Sequence, residues 1–205
     1  SGIKAVAYNN RIYLMGGITS SGGVSSVVNS TQIADLTPDG RLGSWSSSTN
    51  LPYNAYGYSA LTYNDRLYLI GGASSIGGSP LTGVYYNKIN SDGTLNSWEQ
   101  TTSLSTARMS NGGDFATAWG AYVYVSGGCS ATNGSGYCTT ILDSTQLASI
   151  NSDGTLDEWN TNASVSDTRT GHSIVAWRNR LYEVGGCSSQ NTTTGACTTA
   201  LSSIK

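Results

Sequence analysis

The chain has 205 residues, enough for a substantial core, but only 11% of them are charged, against ~25% in ordinary soluble proteins. Ser, Thr, Gly and Asn take their place, so the surface is polar and largely uncharged. A net charge of -2 offers no basic patch to nucleic acid, and no run approaches the ~18 apolar residues of a membrane span.

Lys4-Ala5-Val6-Ala7 predicts a first strand, and Asn9-Asn10 turns it back into Arg11-Ile12-Tyr13-Leu14-Met15, which ends at Gly16-Gly17. A Gly/Ser-rich loop leads to a third strand at Ser30-Thr31-Gln32-Ile33-Ala34. Asp39-Gly40 then reads as a tight hairpin dipeptide that tolerates positive φ. A fourth strand opens with Arg41-Leu42-Gly43-Ser44-Trp45. The glycine pair returns at Gly71-Gly72, Gly127-Gly128 and Gly185-Gly186, at intervals of 55, 56 and 58 residues. Asp92-Gly93 and Asp153-Gly154 repeat the hairpin, and Trp45, Trp98 and Trp159 each lie six residues after the Asp. The repeats run approximately over 1–54, 55–107, 108–168 and an incomplete 169–205.

Four short strands joined by turns, with no helical periodicity, predict an antiparallel meander. One such sheet cannot bury both faces, so the copies must stack, and a stacked four-stranded unit of this length reads as a propeller blade. The double glycine closing the second strand and the fourth-strand Trp resemble the kelch repeat, over the whole chain. The Asp-Gly-x-Leu-x-x-Trp phrase departs from common kelch repeats and suggests a subgroup. The resemblance implies an all-β, kelch-like β-propeller of about 3.75 four-stranded antiparallel blades, within a ring of about six or seven. A four-bladed ring with an incomplete last blade is the alternative. In the first case further blades would come from the same or another chain.

Cys129 and Cys187 each follow a glycine pair, and Cys138 and Cys197 each precede Thr-Thr. Their equivalent positions predict two local disulfides, Cys129–Cys138 and Cys187–Cys197. A zinc site from all four would need the two loops to converge, and neither has C-x-x-C spacing. Disulfides imply an oxidising compartment, so a secreted or cell-surface protein. Asn29, Asn133, Asn162 and Asn191 head sequons for N-glycosylation.

Alternating strand direction sorts the connections onto two ends. The first-to-second and third-to-fourth turns barely change between copies, whereas the loops at the opposite end differ in every copy and mark the expected binding face. That face carries Tyr53, Tyr56, Tyr58, Arg108, Asp114, Tyr137, Arg169 and His172. Each also has a packing role open to it. The tyrosines can fill the space between blades. Arg108, Arg169 and His172 fall where kelch blades carry a structural Arg and a His. Asp114 is an acid without a visible partner. Trp45, Trp98 and Trp159 read as core.

No enzyme constellation emerges. The kelch propeller that binds copper uses two His, and this chain has one. The sialidase Asp-box separates its Asp and Gly, which here are adjacent. Glu99 and Glu158 flank a structural Trp, and Glu183 lies mid-strand. The sequence therefore predicts no catalytic residue, no metal and no cofactor. It points to a recognition or adhesion module for a protein or glycan, with no nucleic-acid partner and no membrane insertion. A structural subunit of a surface appendage or layer is one alternative; the non-catalytic portion of a carbohydrate-active propeller enzyme is another.

Overall fold

Asn9 and Asn10 both take positive φ, 45° and 57°, forming a two-residue primed turn whose twist matches the strands it joins. In the computed structural model, which describes residues 1–204, it folds β1 (Lys4–Tyr8) onto β2 (Arg11–Met15). A hairpin of β3 (Ile18–Ser21) and β4 (Val24–Val27) follows, then β5 (Thr31–Asp35) and β6 (Ser46–Ser48). The first sheet is ordered β1-β2-β5-β6 and is antiparallel throughout.

The second repeat builds the same meander from β7 (Ser59–Tyr63), β8 (Arg66–Ile70), β9 (Val84–Lys88) and β10 (Glu99–Thr101). In the third, β11 (Ala116–Trp119) and β12 (Tyr122–Ser126) precede a hairpin of β13 (Cys129–Thr132) and β14 (Cys138–Ile141). The sheet continues with β15 (Thr145–Ser149) and β16 (Asn160–Asn162). The last repeat pairs β17 (Ser173–Trp177) with β18 (Arg180–Val184) and adds a hairpin of β19 (Cys187–Gln190) and β20 (Cys197–Ala200). Ile204 bridges to Val184. The described residues are thus all-β.

Two local details differ from the sequence expectation. The Asp-Gly hairpin is a three-residue loop: Gly93 N–H donates to the Asn90 carbonyl and Asn90 N–H to the Thr94 carbonyl. Only the glycine takes positive φ, 83° at Gly93. Asp92 instead accepts from the Thr94 N–H at 3.0 Å and its hydroxyl at 2.7 Å, the side-chain mimic of a turn that Asp favours. The fourth strand also begins after the Trp. Leu42, Leu95 and Leu156 make only isolated bridges, to Leu36, Ile89 and Ile150.

The first strands, β1, β7, β11 and β17, lie side by side in chain order. Between consecutive sheets run the apolar cores. Tyr13 and Met15 meet Leu67, Leu69 and Leu95, and Tyr68, Ile70 and Val84 meet Val123, Leu156 and Trp159. Polar contacts fix the stacking register. The Tyr13 hydroxyl donates to the Gly93 carbonyl at 3.0 Å, and Tyr68 repeats this with Gly154 at 2.9 Å. Thr102 is bonded twice across the second joint: its hydroxyl donates to Leu156 O, and its carbonyl accepts from Trp159 Nε1. The glycine pairs permit the close approach. A Cβ on Gly71 would strike the Arg108 carbonyl, and Gly71 sits at φ 64°, where a side chain is strained in any case.

Candidate functional site: the loop face and its central hollow

Ala55, Arg108 and Arg169 occupy one place in the repeat, because their carbonyls accept from Gly17, Gly72 and Gly128. Arg108 and Arg169 are fully buried. Arg108 donates to the Gly127 carbonyl at 2.6 Å, to Ser144 O and to Ser144 Oγ. Burial pulls its pKa down to about 10, so it remains a cation at neutral pH. Arg169 donates to the Gly185 carbonyl at 2.9 Å and pairs with the buried Glu183 at 3.2 Å. The second sheet has no Arg here. Tyr53 donates instead to the matching Gly71 carbonyl at 2.8 Å.

Tyr58 and His172 also sit inside. Tyr58, Phe115 and His172 fill one space, each against the first glycine of the preceding sheet: Gly16, Gly71 and Gly127. Tyr58 is wholly buried and donates to the Met15 carbonyl at 2.6 Å; burial pushes its phenol pKa up. Burial, reinforced by the Arg169 guanidinium, pushes the His172 imidazole down to about 4, leaving the ring neutral at physiological pH. Five of the eight sequence-predicted residues (Tyr56, Tyr58, Arg108, Arg169 and His172) are therefore buried, and of these Tyr56 borders a hollow on the loop face.

Asp114 and Tyr137 remain partly exposed on the loop face, with Tyr53 half-buried beside an outer hollow that also includes Tyr85. The path from Arg108 into the third sheet is longer than its counterparts. Phe115 lies seven residues after Arg108, whereas Ser59 lies four after Ala55. The extra segment runs over the starts of the first strands. A Cβ on Gly113 would collide with the His172 carbonyl, so only glycine permits this close passage. From β1, Lys4 reaches across to it. Its Nζ lies 2.8 Å from Asp114 Oδ1 and donates to the Gly112 and Gly113 carbonyls at 3.1 and 3.2 Å. Asp114, read from the sequence as an acid without a partner, is paired.

Above this bond opens a hollow of about 360 Å³, lined by Ile3, Lys4, Tyr56, Ser110 and Asn111 among others. Asn111 also borders a second hollow of about 380 Å³ with Thr170, Gln190 and the Cys187–Cys197 crosslink. The rim is built from loops that brace one another. Thr132 donates to the Gly78 carbonyl, Asn133 donates to Thr192 O, and Gln190 Oε1 accepts from the Cys138 N–H. Both expected disulfides are formed, Cys129–Cys138 and Cys187–Cys197, each with Cα atoms 5.8 Å apart and each crosslinking one hairpin. They suggest an oxidising, extracellular environment.

Among the described residues, no group of three or more His, Cys, Asp and Glu side chains converges as a metal-ligand set. Among the described residues no helix is long and apolar enough to cross a membrane, which says nothing of a barrel. Lys4 and Asn111 were the residues that sequence reasoning missed. A lone Lys in an apolar strand, and the lengthened connection at 111–113, were the available signals. No family model matches the chain, and no curated protein matches it significantly.

Proposed function

We propose that the chain is a recognition module of a secreted or cell-surface protein, made of kelch-like propeller blades that bind a protein or glycan on the loop face. The observation that carries this reading is the central hollow. It combines the edge of an aromatic ring, Tyr56, with amide and hydroxyl groups from Asn111 and Ser110, and the one charged side chain in its lining, Lys4, is paired with Asp114. Such a lining suits the hydroxyls and apolar ring faces of a neutral sugar. The disulfides and the bracing between hairpins hold the rim in shape, lowering the ordering cost of binding.

The test is binding to an array of neutral and sialylated glycans, with Asn111→Ala and Asp114→Asn beside the parent chain. Saturable binding to a neutral glycan, weakened about tenfold or more by Asn111→Ala at unchanged melting temperature, is expected. Binding unaffected by both variants, or no binding on the array, would remove the hollow from the proposal.

A further inference from the structure

In the third and fourth repeats an arginine is clamped by a serine. Arg108 donates to Ser144 Oγ and the Gly127 carbonyl, and Arg169 to Ser203 Oγ and the Gly185 carbonyl. Ser144 and Ser203 hold one place in the repeat, because their carbonyls accept from Gly127 and Gly185. In the second repeat that place is Gly83, and the arginine's place is Ala55. A third position changes with these two. Gln32 and Gln146 pair with Leu14 and Val125, whereas the residue paired with the equivalent Leu69 is Tyr85.

The three changes make one structure. Tyr53 bonds the Gly71 carbonyl in the arginine's stead, and its ring meets that of Tyr85 at 5.6 Å, tilted by 58°. Gly83 gives the second ring room, since a Cβ there would lie 2.9 Å from it. Gln146 is buried and donates to Ser105 Oγ, but Tyr85 stays half-buried and borders the outer hollow, of about 420 Å³. Gln100, opposite Tyr85 on β10, adds an exposed amide, and Ser74, Thr82 and Ser103 add hydroxyls. None of the lining residues is charged. Tyr53 and Tyr85 pack at the joint between the first and second sheets, both of them four-stranded. Filling the arginine's space takes one ring, Tyr53; packing does not call for a second ring left partly in water beside hydroxyls and an amide.

We propose that this outer hollow is a second binding site, for a neutral saccharide residue whose apolar ring face lies on Tyr85 while its hydroxyls bond Gln100 and Ser103. It shares no lining residue with the central hollow, so either site can fail alone.

Titration of the full chain with methyl glycosides of glucose, galactose, mannose and N-acetylglucosamine, and with a proline-rich peptide for contrast, tests it by amide NMR. Saturable shifts at Gln100 and Ser103 are expected with a glycoside. Tyr85→Gln, which restores the residue of the first and third sheets, should weaken that binding about tenfold or more at an unchanged melting temperature. Should the melting temperature fall, Gln100→Ala, an exposed change, decides by the same loss. Asn111→Ala should leave these shifts intact. Shifts confined to Ser110 and Asn111, binding indifferent to the variants at Tyr85 and Gln100, a response to the peptide alone, or no response would each overturn the proposal.

Discussion

The joint between the second and third sheets and the bare face of the first sheet are built from equivalent residues. Trp159 is 8% exposed and Leu156 3%, whereas Trp45 is 39% exposed and Leu42 49%. Trp98, which meets only the first sheet, is half-buried. Position in the repeat decides which way a side chain points; a neighbouring sheet decides whether water reaches it. Each repeat supplies half of a core, so stability is concentrated at the joints between sheets.

The contrast is sharpest for the arginines, where the largest effect is expected. Arg108→Met removes donors from one buried and two partly buried acceptors, at Gly127 and Ser144, and should cost about 2–4 kcal/mol in urea unfolding. Arg180→Met, on the bare face, should stay within about 0.5 kcal/mol under monomeric conditions. Equal costs would mean that the Arg108 bonds contribute nothing net.

His172 gives a smaller, pH-dependent effect. Its pKa is about 4 in the fold, below the ordinary value of 6.5, so the unfolded chain takes up the proton first. The contribution is fully present above about pH 6.5 and is lost as pH falls towards 4, by about 1.4 kcal/mol per unit. His172→Phe, copying the ring that Phe115 places in the same space, should flatten that component of the stability profile. An unchanged slope between pH 6.5 and 4 would show that the imidazole already takes up its proton in the folded protein.

Much of this architecture was legible in the repeat. The glycine pairs, the apolar runs before them and the equivalent cysteines were enough to expect the meander and both disulfides, because each signal recurs locally. The turn chemistry was read one residue short, since Asp-Gly is shared by two hairpin types and only Asn90 and Thr94 decide between them. The floor of the hollow was not legible. Lys4 and Asp114 lie far apart in the chain, and only the stacking of three sheets brings them to 2.8 Å. Nor could the sequence separate buried from bare copies of one position: Tyr58 and His172 look like surface candidates until the preceding sheet is placed against them.

The most direct test of the account is the paired cost of Trp159→Ala and Trp45→Ala, measured by equilibrium unfolding at concentrations where the chain is monomeric. Trp159 loses a buried ring and the bond to Thr102 O, so a cost of about 3–5 kcal/mol is predicted, against less than about 1 kcal/mol for Trp45. Equal costs at the two positions would contradict the claim that a neighbouring sheet, rather than the repeat itself, supplies the core.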